Sequence, residues 1–410
     1  MNARKVSKAE KELIPLNLFV PILLAIFGYL QFRNWFIHAL PQGLSDIPAF
    51  YRMRFGDGLH HWPYNSYVPL GKTNPLNPIE YPSLIGLTVW VLSFLVNAGE
   101  NAALDYFLVN AIFIALLFAA SSFLLEKISQ KKLAKYYYLS PAVVLSLFLN
   151  WDIWVVVPML AAIYYFEKQR NSLSSIWLAI AISTKFFPVM LLIPIVIAYI
   201  RKREINLLFR YVTNTLLTWL AINIPFMITN FYGWTYFYRF SFKRGIGEGS
   251  FFTIFEKFGL AIGDKNLWYY GFNAVLYVAF ISYLLLRKES MPLRMSAFLS
   301  IFVFTIFGKQ YSMQYVLWLT PLAIYAISCL SKINQKFMLR IYLIWQLSEL
   351  LFNTAYFNNL WWSLSDQQTG IPNEEYAMFA ILRYLIFLVF TYFLIDKERA
   401  ERKSEHKLAN

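Results

Sequence analysis

Two acidic residues in one polar stretch of the sequence have the chemistry of a general base. The stretch covers residues 39–82 and separates two strongly apolar runs. In it, Asp46 stands in SDIPAFY, where proline and aromatic neighbours partly exclude water while a hydroxyl group can still reach the carboxylate. The same sequence is typical of a helix start, where Asp is favoured as the cap, and both interpretations stay open. Glu80 in EYP is the second candidate base, and its alternative is an interfacial acid beside a belt tyrosine.

Charged residues inside otherwise apolar runs form a second group of candidates. Lys185 lies in STKFFP and Asp152 lies in NWDIW. An ionisable side chain at membrane depth is costly unless it has a partner or a function. Lys185 therefore either pairs with Asp152 for structural reasons or contacts substrate, and the sequence leaves both open. Glu349, in IWQLSELLFN, shares a helix face with Gln346 and marks either a cavity or a structural contact.

Basic residues near the ends of apolar runs are candidates for binding a phosphate. Arg54 lies in the polar stretch, where an external arginine indicates an anionic partner, with a lipid headgroup as the alternative. Arg239 and Arg244 stand among aromatic residues in WTYFYRFSFKRGIGEGSFF, whose glycines expose backbone N–H groups that suit a phosphate. Lys309 and Gln314 belong to FGKQYSMQYVLWLTPL, between two apolar runs.

The composition of the chain predicts the elements that must position these residues. Of its 410 residues 58% are hydrophobic and 15% charged, against roughly 25% charged residues in soluble domains. Apolar runs of about 17–25 residues, the length that crosses a bilayer as a helix, recur throughout. The predicted fold class is therefore all-α, a polytopic transmembrane helical bundle. The single cysteine, Cys329, excludes a disulfide framework and a metal-thiolate site.

The predicted organisation is a single integral membrane domain over residues 1–410. The first span covers 13–36, the structured first external loop 37–82, the remaining spans 83–395 and a cytoplasmic tail 396–410. Short segments and the prolines at 158, 188 and 194 predict broken or re-entrant helices among about 11–13 membrane segments. Later spans are predicted at 83–98, 106–125, 136–150, 153–166, 174–187, 189–200, 211–230, 268–287, 296–307, 314–330, 338–356 and 376–395.

The distribution of basic residues predicts the topology. The net charge of +14 is spread over short clusters between apolar runs, which is typical of cytoplasmic loops and excludes nucleic acid as the partner. Both termini are then cytoplasmic, and the loops 231–266, 308–313 and 357–375 lie outside. Thirteen full crossings would put the basic C-terminus outside. One segment before residue 170 is therefore re-entrant or merged: either 136–166 forms one crossing, or the region 82–125 hides an extra one.

The arrangement of charges indicates a lipid-linked substrate. No Walker motif, Rossmann fingerprint or metal constellation is present in the sequence, so we expect no cofactor, no metal and no soluble nucleotide donor. One external carboxylate loop and several cations at the outer bilayer face suit a lipid-phosphate donor and a hydroxyl acceptor. Lys185 and Lys309 are expected to face one electropositive cavity.

Six ordered motifs resemble glycosyltransferase family eighty-seven, the polyprenol-phosphate-mannose-dependent mannosyltransferases and their relatives. The resemblance covers roughly residues 15–395, nearly the whole chain. FGKQYS departs from the asparagine-lysine opening that is more usual there, and Met313 stands where proline is common. The motifs are SDIPAFY…PYNSY…EYPSLIG, SPAVVLSLFLNWDIW, STKFFPVMLLIP, GWTYFYRFSFKRGIGEGS, GKQYSMQYVLWLTPL and IWQLSELLF.

The resemblance implies the C-type integral-membrane glycosyltransferase fold in the cell membrane, with an extracytoplasmic active site. It implies inverting transfer of a sugar, mannose by the family's example, from a polyprenyl-phosphate donor to a glycolipid, glycan or protein acceptor. Asp46 matches the catalytic base, and three basic residues match positions that contact the donor phosphate: Lys185, Arg244 and Lys309. Further pattern positions without an assigned role are Glu80, Asp152, Gln314 and Glu349.

A transporter or flippase for a lipid-linked phosphate is the alternative function. The same cations would then bind phosphate without chemistry, and broken helices with intramembrane charges are found in transporters too. The acid-bearing loop after the first span and the lack of a detected internal repeat favour the transferase. A third possibility is a scaffold with the fold and no turnover.

Overall fold

The computed structural model describes residues 14–38, 45–68, 73–247, 249–260 and 265–409. The basic cluster 4–11 and parts of the loops 37–82 and 231–266 lie outside the described residues. Within the described residues the chain forms helices and one isolated β-bridge, between Tyr67 and Leu76. The prediction of an all-α, polytopic helical membrane protein is confirmed.

Seventeen α-helices and two short 3-10 helices occupy the described residues. The first eight α-helices are α1 (Ile14–His38), α2 (Asp46–Arg54), α3 (Ser83–Ser93), α4 (Ala102–Ile128), α5 (Lys131–Tyr138), α6 (Pro141–Ser146), α7 (Ile153–Glu167) and α8 (Asn171–Thr184). The others are α9 (Leu192–Lys202), α10 (Ile205–Thr229), α11 (Phe231–Lys243), α12 (Phe251–Lys257), α13 (Lys265–Leu286), α14 (Leu293–Ile306), α15 (Val316–Ile327), α16 (Lys332–Leu364) and α17 (Asn373–Ala409). The 3-10 helices are Phe187–Leu191 and Met313–Tyr315.

Four helices of the described chain are long and apolar enough to cross a membrane. They cover Ala102–Ile128, Ile205–Thr229, Leu267–Leu286 and Asn373–Ser404. Five apolar helices are shorter, at 10–17 residues, and short segments were predicted. Pro158 was expected to break one of them, but it lies inside α7, which continues through it. They cover Leu18–Arg33, Ser83–Ser93, Ile153–Glu167, Leu293–Ile306 and Met313–Ile327.

The predicted span 136–150 is not one continuous helix. In its place the chain forms α5 and α6, with 8 and 6 residues. Neither helix reaches the roughly 17 residues that a crossing needs. Pro141 accounts for the break, because its ring cannot sit in a helix interior but is well suited to a first turn.

The region 231–266 was predicted as a loop, but its first third is the helix α11, and the short helix α12 follows. Aromatic residues four positions apart stabilise it, since such pairs lie on one helix face. The ring centroids of Trp234 and Tyr238 are 5.3 Å apart, and those of Tyr236 and Phe240 are 6.0 Å apart. Arg239 is therefore held on a helix and does not belong to a flexible loop.

The chain divides into two compact units. The first contains the described residues of 1–139, 143–186 and 210–242, and the second those of 140–142, 187–209 and 243–410. In the first unit, α4 is the central helix and packs against α1, α2 and α7. Buried residues recur every three or four positions on one face of α4: Tyr106, Asn110, Ile114, Phe118 and Leu125.

The second unit is built on the long helices α16 and α17, which pack against each other. The Trp345 ring of α16 stacks on Phe387 and Phe390 of α17, with centroids 4.9 and 5.2 Å apart. Helix α12 also packs on α17, and α14 packs on α15. Residues 396–409, predicted as a tail, continue α17 as helix.

Candidate functional site

Asp46 lies at the first position of α2 and is exposed. The cap of this helix is Ser45, whose hydroxyl oxygen accepts a hydrogen bond from the Ile47 amide at 3.2 Å. The sequence alternative of Asp46 as the cap is therefore wrong, although a helix does start at this motif. An acidic residue in the first turn is still favoured by the helix dipole. The carboxylate of Asp46 is not needed as the cap.

The start of α2 is fixed to the segment before α7. The Asp46 amide donates to the Leu149 carbonyl at 2.8 Å. One turn further on, the ring of Phe50 meets the edge of Trp151, with centroids 5.3 Å apart. Trp151 is fully buried and donates its indole N–H to the side chain of Asn110 at 2.8 Å. These contacts restrict where the Asp46 backbone can lie.

Asp152 and Lys185 form an ion pair, with 2.6 Å between Oδ1 and Nζ. Asp152 is fully buried, and Lys185 retains 16% of its side-chain exposure. The Lys185 ammonium also lies 4.5 Å from the centre of the Tyr81 ring. The structure thus confirms the pair that the sequence left open, and a role of Lys185 toward substrate stays a prediction.

Lys185 occupies its place because helix α8 stops there. Its backbone is extended, with φ −141° and ψ 145°, and its amide donates to the Ala181 carbonyl. Pro188 follows within the 3-10 helix Phe187–Leu191. A proline in a helix interior removes a hydrogen bond and disfavours helical backbone before it, which explains the break in STKFFP.

Arg54, at the end of α2, is a buried cation in the same unit. It is 4% exposed, donates from Nη2 to the Asn77 carbonyl and lies 5.9 Å from the centre of the Tyr67 ring. Burial lowers the pKa of Arg54, an effect that Tyr67 and the nearby carboxylate of Glu80 oppose. Its Nη1 is buried and has no hydrogen-bond acceptor among the described residues.

Glu80 is exposed and acts electrostatically on helix α11 as well. Burial raises the pKa of the Tyr236 hydroxyl and Glu80 raises it further, while Arg239 and Arg54 lower it. Arg239 lies 3.7 Å from the centre of the Tyr232 ring and 5.8 Å from that of Tyr236. Its Nε is also buried without an acceptor in the described part of the chain. Two arginines and one glutamate thus act electrostatically on Tyr236.

Helix α11 is anchored directly on the polar stretch that carries Arg54. The side chain of Asn230 donates to the Tyr64 carbonyl at 3.0 Å. Gly233 approaches the same carbonyl so closely that an added Cβ would collide with backbone. Tyr64 in turn donates its hydroxyl to the Pro82 carbonyl at 2.8 Å. Gly233 is therefore required by this close approach.

Asn223 is a buried hub of the first unit that the sequence analysis missed. Its amide oxygen accepts from Ser83 and from the Trp234 indole, and its amide nitrogen donates to Ser183. It therefore joins α3, α8, α10 and α11 around the candidate site. Its signal in the sequence was an amide side chain inside the apolar run 211–230.

In the second unit the structure brings Lys309 to Arg244. The Lys309 ammonium donates to the Arg244 carbonyl and to the Tyr270 hydroxyl, at 3.1 Å each. In return, the Gly247 amide donates to the Lys309 carbonyl at 2.9 Å. Arg244 itself is exposed. The two predicted phosphate ligands of this unit are therefore neighbours.

The glycine-rich run is held in place by close contacts at Gly249. Gly249 has φ +74°, which favours glycine, and a Cβ there would collide with the Tyr311 carbonyl. The Gly249 amide donates a hydrogen bond to the Tyr376 hydroxyl at 3.1 Å. The Tyr384 hydroxyl donates to the Gly249 carbonyl at 3.2 Å.

Glu349 has a structural partner, Arg383, and both are fully buried. Arg383 Nε lies 2.8 Å from Glu349 Oε2, and the Tyr311 hydroxyl donates to Oε1 at 2.7 Å. Arg383 also donates to the carbonyls of Tyr311 and Ser312. Arg383 was missed, although a charged residue inside the apolar run 376–395 meets the criterion that identified Glu349.

The remaining predicted residues lie near this ion pair in the second unit. Gln346, on the Glu349 helix face, accepts a hydrogen bond from Ser140 and donates to Thr320 at 3.3 Å. Gln314 is half-buried in the short helix Met313–Tyr315. No three His, Cys, Asp or Glu side chains of the described residues gather as a metal site requires.

The predicted site residues fall into two groups. The first unit holds Asp46, Arg54, Glu80, Asp152, Lys185 and Arg239, and the second holds Arg244, Lys309, Gln314 and Glu349. The expectation that Lys185 and Lys309 face one cavity stays a prediction. Chemically, the first group offers an exposed carboxylate, the buried guanidinium of Arg54 and the half-buried guanidinium of Arg239, each with an unused donor, and these groups suit an anion and a hydroxyl.

Comparison with known proteins relates the chain to a sugar transferase. No family model matches. The chain is 28% identical over 190 residues to GPI mannosyltransferase 1 of Candida albicans. The match covers 40% of this chain and 46% of that protein, so the chain spans about half the length of the curated relative that it matches. The similarity is thus with a mannosyltransferase.

Proposed function

We propose that this protein is a membrane mannosyltransferase. It transfers mannose from a polyprenyl-phosphate donor to a hydroxyl of a cell-envelope lipid, glycan or protein. The similarity to GPI mannosyltransferase 1 supports the reaction class. The polyprenyl-phosphate donor, inversion at the anomeric carbon and an extracytoplasmic site are the finer parts of the proposal, and the motif resemblance to glycosyltransferase family eighty-seven supports them.

The observation that carries the proposal is that Asp46 and two arginines with unused donors, Arg54 and Arg239, belong to one compact unit. Asp46 is an exposed carboxylate on a helix whose first turn is fixed to the Leu149 carbonyl. Arg54 closes the same helix and is a buried guanidinium with an unused donor. A lipid phosphate would satisfy such donors, and Arg239 offers another.

The proposed reaction needs one base and no separate acid. Asp46 takes the proton of the acceptor hydroxyl while the hydroxyl oxygen attacks the anomeric carbon. The bond between that carbon and the phosphate oxygen breaks, and its electron pair leaves with the phosphate. Cationic side chains screen the departing charge, so protonation of the leaving group is unnecessary. A single carboxylate therefore suffices, unlike the pair in glycoside hydrolases.

The cations contribute differently to this proposal. Lys185 is already neutralised by a buried aspartate, so a phosphate would have to compete with Asp152 for it. Lys309 donates to the Arg244 carbonyl and the Tyr270 hydroxyl, which are both uncharged. Arg244 is exposed beside it. Both residues stay predicted phosphate ligands.

The test is transfer by the purified protein. Full-length protein is incubated with labelled polyprenyl-phosphate mannose and a membrane lipid extract, and labelled products are identified. We expect a labelled product that depends on the protein and disappears with Asp46→Asn. Movement of the intact donor across reconstituted vesicles without any transfer product would support the flippase alternative and overturn the proposal.

A further inference from the structure

A cavity of about 800 Å³ lies in the first unit beside the C-terminal end of α2. It is bounded by that helix end, the following polar stretch and the start of α4. Its lining includes Tyr51 and Tyr67, the acidic residues Asp57 and Glu100, the basic Arg52 and the amide residue Asn74. None of the ten residues grouped above as the predicted site lines it. Its volume falls within the roughly 300–1,000 Å³ of small-molecule sites.

The walls of this cavity are fixed by hydrogen bonds. Tyr67 forms the β-bridge with Leu76 and donates its hydroxyl to the Met53 carbonyl at 2.8 Å. The imidazole of His61 stacks on the Tyr67 ring, with centroids 3.9 Å apart and planes 17° from parallel. His61 Nε2 lies 2.8 Å from Asp57 Oδ2. A preformed wall of this kind reduces the ordering cost of binding.

The lining groups match the chemistry of a neutral sugar. Carboxylates and amides bind hydroxyl groups, and a carboxylate has about four lone-pair sites. Burial tends to raise the pKa of Asp57, but the hydrogen bonds from His61 and the Leu59 amide outweigh it, so the pKa is lowered. Asp57 is therefore an ionised acceptor at neutral pH, and hydrogen bonds to charged groups are the strong ones. Tyr67 is half-buried, and the part of its ring that His61 leaves uncovered can contact the apolar face of a pyranose.

The position of the cavity suggests which sugar it holds. Tyr51 and Phe55, which line it, follow Asp46 by five and nine residues. Along a helix axis these separations are roughly 8 and 14 Å. A ring bound there cannot present its own hydroxyl to Asp46, but a longer glycan can extend from the cavity to the helix start.

We propose that this cavity binds a non-reacting neutral sugar ring of the acceptor and so selects the acceptor glycan. The inference rests on the proposed transferase function in one respect: it identifies the bound glycan as the acceptor of that reaction. The sugar-binding cavity itself stands on the geometry of its own lining.

The experiment measures sugar binding directly. Saturation-transfer NMR is recorded on the purified full chain in detergent with mannobiose, cellobiose and lactose. We expect at least one disaccharide to receive saturation, with the signal reduced about fivefold or more by Glu100→Gln. Gly99→Trp should abolish it, because a side chain at Gly99 meets open space and would fill the cavity without a clash. Asp105→Asn, at an exposed acid in the first turn of α4 that does not line the cavity, should leave the signal unchanged.

The outcomes separate this inference from the proposed function. Binding that survives Asp46→Asn, with or without measurable transfer, supports the sugar cavity on its own. No saturation of any of the three disaccharides overturns it. Equal signals in wild type, Glu100→Gln and Gly99→Trp, in preparations with unchanged thermal melting, overturn it as well. A transfer assay with no product but intact sugar binding would reject the transferase and leave the cavity standing.

Discussion

Lys185 and Asp152 meet as an ion pair of 2.6 Å at the point where helix α8 ends in extended backbone. The aspartate is fully buried and the lysine nearly so. Removal of one member leaves an uncompensated charge, whereas replacement of both can be nearly neutral. Single and double substitutions in this pair can therefore distinguish a structural role of Lys185 from a role toward substrate.

Lys185→Met is expected to lower the free energy of unfolding by about 3 kcal/mol, because Asp152 loses its partner. Lys185→Met combined with Asp152→Asn should recover most of this loss. Thermal unfolding in detergent measures both, with Lys131→Met, an exposed lysine of the same unit, as the control. If Lys185→Met melts like wild type but loses donor affinity, the lysine acts on substrate and the structural role is refuted.

Asp46→Asn is expected to fold and bind donor normally but to turn over about 10²-fold or more slowly, the range for a lost general base. Folding should persist because Ser45, and not Asp46, caps the helix. Glu80→Gln should be milder. Steady-state transfer rates give the comparison. Near-normal turnover in Asp46→Asn with loss in Glu80→Gln would show that the base is Glu80.

Lys309→Met is expected to weaken donor binding by about tenfold or more. A hydrogen bond to a charged group contributes roughly 1.5–3 kcal/mol, and 1.4 kcal/mol is a factor of ten. Arg244→Met should act in the same direction. Donor titration measures the dissociation constant, with Lys309→Arg to keep the charge and the exposed Lys336→Met as control. Unchanged affinity in both Met variants would restrict these residues to a structural role.

Arg383→Met is expected to destabilise the second unit by about 3–5 kcal/mol, because Glu349 would remain buried and unpaired. Arg383→Met with Glu349→Gln should restore much of the stability. Arg399→Met, an exposed arginine of the same helix, is the matched control for thermal unfolding. Equal stability of Arg383→Met and Arg399→Met would contradict a structural ion pair.

A cysteine at position 245 tests the topology. Gly245→Cys in a Cys329→Ser background places the thiol in open space. The distribution of basic residues predicts that an impermeant maleimide labels it from outside in intact cells. Lys336→Cys, in a predicted cytoplasmic cluster, should react only after permeabilisation. The reverse pattern would invert the assignment.

Local features of the sequence determined the class of the protein and only some of its helix breaks. Composition and recurring apolar runs can be read without knowledge of any tertiary contact, so they were sufficient to predict the polytopic all-α fold. Pro188 predicted a break between the spans 174–187 and 189–200, and the structure ends the helix three residues before the predicted end, at Thr184. The start of α2 was similarly visible in SDIPAFY, but the choice of Ser45 over Asp46 as its cap depends on side-chain geometry.

Only the tertiary structure decided which charges are paired. Asp152 and Lys185 were named as possible partners, yet distances in sequence could not choose between a pair and a ligand site. Arg383 lies 34 positions from Glu349, and Asn223 lies 140 positions from Ser83. Sequence periodicity relates residues within one helix, whereas such contacts depend on how separate helices pack. That packing decided that Glu349 is held by an arginine and that Arg54 keeps a buried donor unused.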